Sequence, residues 1–302
     1  MRAHDDHWWA AVLAAGEGVR VREFVREHTG ADLPKQYSIF TGTRSLLRHT
    51  LDRVERVVAP EHVISLIAAD HEDLSRETLT TAERNRVLLI PRNRETGPNV
   101  LCATLRIHSL DPEAVILFAP SDHFILEEEH FITYVEAAFR FVAAFPHFAV
   151  LLGVRTHEPD PEYGWIELAG DFLAHAGNRF GKVNRFYEKP SRRVAAGLHR
   201  RGALVNTMIT IASAGVMMSL FHHAEPDVYQ HVLRAKLSHG DRLDDETMAT
   251  LFKAMPSFSF AQTILQQNPD RLRVLRMDGV YWSDWGKKER ILRDLSLLGR
   301  GG

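Results

Sequence analysis

The sequence predicts an α/β protein with three layers (α/β/α), in which helices cover both faces of a Rossmann-like, mostly parallel central sheet and a small β-rich lid lies over that sheet. Two observations predict this fold. Short apolar runs rich in β-branched residues alternate with longer segments of helical period. Five of these runs are almost continuously apolar, as suits strands buried on both faces. They lie near residues 8–15, 62–68, 86–91, 114–119 and 148–154.

Helical patterns fill the gaps between these strands. Residues 45–58 and 131–145 place apolar side chains three and four positions apart, the period of a helix with one buried face. These helices would cover the sheet.

After Val154 the pattern changes to shorter strands separated by turns, with one helix beginning near Ser191. We expect these strands to form the lid. They lie near residues 163–168, 182–188 and 204–212. A helical region over 224–256, a last strand over 271–277 and a closing helix over 287–298 follow.

Composition excludes several classes of protein. The 302 residues are 45% hydrophobic and 25% charged, which is ordinary for a globular chain with one large core or two modest ones. The formal charge of −2 shows no excess of basic residues of the kind that binding to nucleic acid needs, so we expect no nucleic-acid partner. The single cysteine, Cys102, excludes an intramolecular disulfide, and no leader or long apolar run is apparent. We therefore expect a cytoplasmic protein with no membrane partner.

The first predicted strand runs into a glycine loop, Gly16-Glu17-Gly18, followed by Arg20. Glycines at such a place let backbone N–H groups approach phosphate closely. Neither the dinucleotide fingerprint nor the Walker A motif is met, so a plain glycine turn remains an alternative. Lys35 supplies a second cation that could fold over a bound triphosphate, although an exposed loop lysine would look the same.

Two acids follow predicted strands or turns far apart in the sequence. Asp122 ends the apolar run 115–119, and Asp284 stands among aromatic residues directly before a helix. If they converge, they form a hard oxygen site for Mg²⁺, which takes its remaining ligands from water and substrate phosphates. An Asx turn or a helix N-cap is the alternative for each acid.

A second group of candidates points to a sugar phosphate. Glu188 and Lys189 end a strand before Pro190, where Glu188 could reach sugar hydroxyls and Lys189 a phosphate. A surface ion pair is the alternative. Gly164 and Asn206 are further candidates to contact a sugar, with a turn glycine and a buried asparagine as their alternatives.

Taken in order, these segments resemble the sugar-phosphate nucleotidyltransferase family, and within it the mannose-1-phosphate guanylyltransferases, over nearly the whole chain. The segments that carry the resemblance are Gly16-Glu17-Gly18-Val19-Arg20, Pro34-Lys35-Gln36, Gly97-Pro98-Asn99-Val100, Ser121-Asp122-His123, Tyr163-Gly164-Trp165-Ile166, Glu188-Lys189-Pro190, Asn206-Thr207-Met208 and Trp282-Ser283-Asp284-Trp285-Gly286.

The resemblance implies a GT-A-like fold and an enzyme that joins a nucleoside monophosphate from an NTP to a sugar 1-phosphate, with GTP and mannose 1-phosphate as substrates and Mg²⁺ as cofactor. It implies the following roles: nucleotide contact by Ala14, Gly16, Gly18 and Asn99; phosphate contact and catalysis by Arg20, Lys35 and Lys189; sugar contact by Gly164, Glu188 and Asn206; and metal binding by Asp122 and Asp284. A homo-oligomer is compatible with this reading.

Two positions depart from the family pattern. Pro98 stands where the family has arginine, which removes a cation and a backbone donor, and Met208 stands where it has a glycine beside the sugar. Another base or sugar, or a catalytically silent nucleotide-sugar-binding regulatory homologue, therefore remains open. A glycosyltransferase is a further alternative, but such enzymes commonly bind their metal through Asp-x-Asp. Ser121-Asp122-His123 lacks the second acid, which argues against that alternative.

The chain ends soon after Gly286, so we expect one nucleotidyltransferase domain over residues 1–302, without an appended β-helix or isomerase domain. Within it, residues 1–155 would form the nucleotide-binding half, and residues 156–302 the sugar-phosphate half and closing helices.

Overall fold

A computed structural model of the protein describes residues 5–239 and 245–299. The strands are β1 (Trp8–Ala14), β2 (Val63–Ala68), β3 (Val87–Ile90), β4 (Val115–Pro120), β5 (Phe124–Ile125), β6 (Ala149–Val154), β7 (Gly164–His175), β8 (Asn178–Glu188), β9 (Leu204–Ser213), β10 (Leu272–Arg276) and β11 (Trp282–Ser283). The helices are α1 (Arg22–Thr29), α2 (Leu46–Val54), α3 (Glu72–Thr78), α4 (Thr81–Arg84), α5 (Thr96–Leu110), α6 (Glu128–Ala144), α7 (Arg192–Arg200), α8 (Ala214–Ala224), α9 (Pro226–His239), α10 (Asp245–Ala254) and α11 (Lys288–Leu297).

Nine strands form one sheet in the order β3-β2-β1-β4-β9-β6-β10-β8-β7, with a further pairing between β9 and β7. The β1, β2, β3 and β4 pairings are parallel, as is the pairing of β6 with β10. Strand β9 runs antiparallel to both β4 and β6, and β8 runs antiparallel to β10 and β7. The sheet is therefore mostly parallel, with β8 and β9 as the reversed strands.

Two apolar cores lie on the two faces of this sheet, because successive side chains of a strand point to opposite faces. In β1, Trp9 and Ala11 join one core, while Ala10 and Val12 join the other. Helices α5 and α8 pack in the first core, and α2 and α6 in the second. This arrangement confirms the predicted three-layer α/β/α class.

The structure corrects one expectation, that of a lid lying over the sheet. The three strands assigned to it, β7, β8 and β9, are hydrogen-bonded into the main sheet, and β9 lies between β4 and β6. Its side chains from Leu204 to Val205 and from Ile209 to Ala212 are buried, so the strand is covered on both faces. Strand periodicity gives no indication of which neighbours a strand pairs with, and the sequence could not place β9.

Helix starts follow local capping chemistry. Ser45, Ser191 and Ser213 each precede a helix and accept a hydrogen bond from a backbone N–H of its first turn. The predicted helix start near Ser191 is thereby confirmed. Over the described residues, none of the helices has the length and apolarity needed to cross a membrane.

Candidate active site

A cavity of about 480 Å³ opens at the edge of the sheet where β1 and β4 end and β9 begins. Ligands of open α/β sheets bind at this carboxyl edge. Nine of the twelve predicted site residues line the cavity. They are Gly16, Arg20, Asn99, Asp122, Gly164, Glu188, Lys189, Asn206 and Asp284.

The other three predicted site residues lie beside this cavity. Ala14 is fully buried at the end of β1. Gly18 and Lys35 line an adjoining cavity of about 310 Å³, whose wall also includes Arg20 and Asp122. The glycine loop thus lies between two connected concavities.

The glycine loop is fixed by the segment that follows it. The side-chain amide of Gln36 donates to the carbonyl oxygens of Ala14 at 2.9 Å and Gly16 at 2.7 Å. Gly18 has a φ of +62°, and a Cβ there would lie 3.2 Å from the backbone nitrogen of Lys35. The positive φ and this close approach together favour glycine, and the approach places the loop directly against Lys35.

Lys35 is buried, with 4% of its surface exposed. Its Nζ lies 2.8 Å from Oδ2 of Asp122 and donates to the carbonyl oxygens of Asp284 at 2.6 Å and Trp285 at 3.2 Å. An ammonium group has three N–H donors, and these three acceptors use all of them. Lys35 therefore ties the two predicted metal-binding segments together, and its contact with phosphate stays a prediction.

Each of the two acids has a cationic partner on one oxygen. Oδ2 of Asp122 pairs with Lys35, while Oδ1 of Asp284 pairs with Arg290 and accepts from the backbone N–H of Gly286 at 3.0 Å. Asp284 therefore forms the Asx turn considered as its alternative and lines the cavity as well. Burial by itself would raise the pKa of each acid. The positive charge of Lys35 near Asp122, and of Arg290 near Asp284, outweighs this effect together with smaller contributions, so both pKa values lie below the ordinary value.

Arg290 is the main functional candidate that sequence reasoning missed. It projects from α11, is 6% exposed, and pairs with both Asp284 and Asp160, while its guanidinium stacks 4.2 Å from the ring of Tyr163. Lys287 adds a second cation 3.2 Å from Asp160. No local motif marks this arginine: Asp284 lies six residues before it without forming a recognised pattern, and Asp160 and Tyr163 come from a distant part of the chain.

The predicted sugar-phosphate wall is formed by the ends of β7 and β8. Burial raises the pKa of Glu188, and the neighbouring Lys189 opposes that rise. Lys189 has a φ of +43° and its side chain is exposed; among the described residues nothing forms an ion pair or hydrogen bond with its ammonium. Arg20, by contrast, pairs with Glu162 at 3.0 Å in an exposed contact. Lys189 is thus a cation that faces the cavity without a partner in the part of the chain that the structure describes.

The opposite wall is the N-terminus of α5 together with a π-helical turn over Phe260–Leu265. Thr96 and Asn99 of α5 line the cavity, as does Glu95, the residue directly before this helix. Oδ1 of Asn99 is buried and has no hydrogen-bond partner among the described residues. A buried acceptor without a partner is costly, so this wall is suited to a ligand that brings an N–H donor.

Pro98 lies in this helix, and the structure corrects the concern about its missing backbone donor. It is the third residue of α5, in the first turn, where backbone N–H groups have no intrahelical acceptor. The proline therefore removes no hydrogen bond. It is buried and is not among the residues that line the cavity.

The charge of the cavity wall bears on the predicted metal. Five carboxylates line it, from Glu95, Asp122, Glu162, Glu188 and Asp284, against two side-chain cations, Arg20 and Lys189. His123 does not change this balance at neutral pH, because burial lowers its pKa to about 4. Lys35 and Arg290 pair with one oxygen of Asp122 and one oxygen of Asp284, and the second oxygen of each acid would repel a triphosphate unless a cation lay between them.

The donor set fits Mg²⁺, which prefers oxygen ligands and keeps several waters. Oδ1 of Asp122 and Oδ2 of Asp284 accept no hydrogen bond from any described residue, and both acids line the cavity. Within residues 5–239 and 245–299, His, Cys, Asp and Glu do not form a metal-binding group of three or more. Two carboxylates would therefore be the protein's share of the ligands.

A family model described as nucleotidyl transferase matches residues 9–297. Alginate biosynthesis protein AlgA of Pseudomonas syringae pv. tomato is 26% identical over 281 residues, which are 91% of this chain and 56% of that protein. A mannose-1-phosphate guanylyltransferase of Escherichia coli is 24% identical over 286 residues, 91% of this chain and 59% of that protein. The chain thus spans less than two thirds of the length of these relatives.

Among solved structures, a Thermus thermophilus protein described as mannose-1-phosphate geranyltransferase superposes with a TM-score of 0.79 at 26% identity. The match covers 96% of this chain and 79% of that one. This likeness confirms the expected GT-A-like fold.

Proposed function

The chain belongs to the nucleotidyl transferase family, and from this premise we propose that its cavity transfers a nucleoside monophosphate from an NTP to a sugar 1-phosphate and releases pyrophosphate. The observation that carries the proposal is the convergence of Arg20, Lys189, Asp122 and Asp284 on one cavity. The proposed reference pair is GTP and mannose 1-phosphate, since a relative that matches 91% of the chain is named a mannose-1-phosphate guanylyltransferase.

The proposed nucleophile is an oxygen of the sugar 1-phosphate, which attacks the α-phosphorus of the nucleotide while pyrophosphate leaves. A phosphate monoester has its second pKa near 6, so it is mostly dianionic at neutral pH and needs no general base. Catalysis then consists of positioning and of stabilising charge. Lys189 is suited to hold the incoming phosphate, because its ammonium has no other partner among the described residues.

Arg20 is the proposed partner of the departing pyrophosphate. Its guanidinium borders both cavities next to the glycine loop, and its present partner Glu162 is an exposed carboxylate that a phosphate can replace at little cost. Lys35 acts differently, since its ammonium is already used by three acceptors. We assign it the role of holding Asp122 and the chain at Asp284 in register.

Asp122 and Asp284 are the residues that would hold Mg²⁺, and Lys35 and Arg290 would orient them. When bound, the ion neutralises phosphate charge and polarises phosphoryl oxygens. The second carboxylate oxygens of Asp122 and Asp284 support this assignment, because they face the cavity without a partner among the described residues and would otherwise repel a nucleotide phosphate.

A guanine base fits the wall formed by α5. Guanine carries N–H donors on its Watson–Crick edge, and this wall offers the unpaired Asn99 oxygen and the carboxylate of Glu95 as acceptors. Glu95 has a φ of 62° and a ψ of −165°, a region that is nearly exclusive to glycine. Such backbone strain is often retained at ligand sites.

Because its substrates are soluble metabolites, we place the reaction in the cytoplasm.

The test is to incubate the protein with Mg²⁺, each of the four NTPs and a panel of sugar 1-phosphates, and to measure pyrophosphate. We expect release with GTP and mannose 1-phosphate, and little release when Mg²⁺ is chelated. Absence of pyrophosphate with every pair, in a sample that binds nucleotide, would overturn the proposal in favour of a silent binding protein.

A further inference from the structure

Met208 has a backbone conformation that side chains rarely adopt. Its φ is +62° in the first half of β9, next to a register shift in the pairing of β9 with β6. The left-handed conformation brings Cβ close to the following carbonyl oxygen and is disfavoured for residues other than glycine. The chain nevertheless keeps a methionine at this position, and its side chain lines the cavity beside Glu188, Lys189 and Gly164.

The side chain of Met208 covers the amide of Asn206. Oδ1 of Asn206 accepts from the backbone N–H of Met208 at 3.2 Å, and its Nδ2 donates to the Met208 sulfur at 3.3 Å. Asn206 is only 3% exposed, whereas Met208 is partly exposed. Both residues line the cavity, so a ligand on this side meets the thioether and methyl group of Met208 next to an amide of which one N–H is already used.

An apolar wall at this position discriminates between substrate groups. A hydroxyl group pressed against a thioether loses its hydrogen bonds to water and gains only a weak acceptor. A C–H surface at the same place loses nothing and gains apolar contact. The wall thus disfavours a hydroxyl and favours a carbon that lacks one.

We propose that Met208 is the specificity-determining residue for the acceptor and that the preferred acceptor is a deoxy-sugar 1-phosphate, whose unsubstituted carbon faces Met208. This inference rests on the proposed function, since it names the acceptor class of the same site. Mannose 1-phosphate then becomes a slower substrate than one of its own deoxy analogues.

The test compares mannose 1-phosphate with its 2-, 3-, 4- and 6-deoxy analogues. Direct calorimetric titration gives Kd for each compound, and pyrophosphate release with GTP gives kcat/KM. For the native protein we expect at least one deoxy analogue to be preferred about fivefold or more in both measurements. Met208→Gly exposes the Asn206 amide to the sugar, so the preference should fall to about one or reverse in favour of mannose 1-phosphate.

Two further variants make the result specific. Met208→Leu keeps an apolar side chain of similar size and should retain the deoxy preference. Met218→Ala truncates a partly buried methionine on α8 that does not line the cavity, and should leave the preference unchanged.

The inference is overturned if the native protein prefers mannose 1-phosphate over all four analogues, or if Met208→Gly leaves the ratio as it was. Failure of the proposed function looks different. In that case no pair releases pyrophosphate, while the Kd ratios still decide the role of Met208.

Discussion

At the scale of single residues, the partners of a side chain decide what it can do. Lys35 and Lys189 are both lysines in short motifs next to a predicted strand or turn. Lys35 is buried against three acceptors, whereas Lys189 is exposed and has no partner among the described residues. Both were predicted to bind phosphate, and sequence alone could not distinguish them because the partners of Lys35 lie far away in the chain.

This contrast predicts different effects of two lysine substitutions. Lys189→Met should lower kcat/KM by about 100-fold or more and change the free energy of unfolding by less than about 0.5 kcal/mol, because it removes an exposed cation. Lys35→Met should impair turnover and also destabilise the fold by about 3 kcal/mol, because Asp122 loses its buried partner.

Urea unfolding and pyrophosphate release measure the two effects, and Lys253→Met serves as an exposed control. Equal losses of stability in Lys35→Met and Lys189→Met would contradict the roles assigned to these lysines.

The backbone strain at Met208 predicts an unusual order of stabilities. At this φ glycine is free of strain, so Met208→Gly should be more stable than Met208→Ala by about 1 kcal/mol. At Met218, inside α8, the order should be reversed by a similar amount, because glycine is a poor helix former. Urea denaturation of the four variants measures both differences. Alanine more stable than glycine at both positions would argue against strain at 208.

At the scale of elements, α11 acts as the support of the loop that carries Asp284. Asp294 is fully buried in α11 and accepts hydrogen bonds from Tyr281 at 2.6 Å, Trp285 at 2.9 Å and Arg293 at 3.0 Å. Arg290, one turn earlier, pairs with Asp284 itself. Helix α11 thus holds the chain on both sides of Asp284 through Tyr281 and Trp285, and holds the Asp284 carboxylate through Arg290.

Asp294→Ala should therefore lower both the free energy of unfolding and the affinity for Mg²⁺. We expect a loss of about 2–4 kcal/mol, since three donors lose their buried acceptor. Chemical denaturation measures the first effect, and binding of Mn²⁺ followed by its paramagnetic resonance signal measures the second. Glu289→Ala, on the exposed face of the same helix, should change neither. An Asp294→Ala protein with native stability would refute this support.

Helices α2 and α4 are joined by a cluster of charges around Arg48, which pairs with Glu83 at 2.7 Å and Glu55 at 3.5 Å. Burial, together with a hydrogen bond and charge repulsion from Glu83, raises the pKa of Glu55 to about 7. In the unfolded state Glu55 loses its proton near its ordinary pKa of 4.5, whereas in the folded state it keeps the proton up to about pH 7. Between these two values the folded state holds more protons, so stability falls as pH rises.

Glu55→Gln should remove this loss of stability at high pH, because glutamine has no proton to lose. The variant should be more stable than the native protein at pH 8 by on the order of 1 kcal/mol, and the difference should shrink towards pH 5. Urea denaturation across this range measures it, with Glu61→Gln as an exposed control. A native protein as stable at pH 8 as at pH 5, with no gain in the variant, would contradict the shift.

Sequence patterns predicted the elements better than their contacts. Strands β2 and β6 are buried at every position, and their continuous apolar runs gave their bounds to within a residue. The glycine loop and the acid after β4 were found because strand ends and turn residues are local signals. The roles of Arg290 and Gln36 depend on tertiary contacts, which no local period encodes. The cover that Met208 places on Asn206 is a local contact, but it depends on the left-handed backbone at Met208, which no sequence pattern predicts for a methionine.

At the scale of the whole molecule, the two halves expected from the sequence are interleaved. Strand β9, from the second half, fills the space between β4 and β6 of the first half, and β10 pairs with β6. Both apolar cores contain side chains from both halves. We propose that residues 1–155 and 156–302 fold as a single unit.

Unfolding should accordingly be one cooperative transition. Trp8 and Trp9 report on the first half, and Trp165, Trp282 and Trp285 on the second, so fluorescence of variants that keep only one group can be compared with far-UV circular dichroism. We expect coincident midpoints in urea within error. Two separated transitions would indicate that the halves unfold independently.

The place of β9 also has a consequence for synthesis on the ribosome. Strands β4 and β6 are complete by residue 154, but the strand that joins them ends at residue 213. At ordinary elongation rates of 5–20 residues per second, roughly 60 further residues take about 3–12 s. During that time one edge of β4 and one edge of β6 have no strand to pair with. Their unpaired backbone N–H and C=O groups can form hydrogen bonds with other chains. Chaperone dependence during translation is the expected result, and it would be relieved once β9 leaves the exit tunnel.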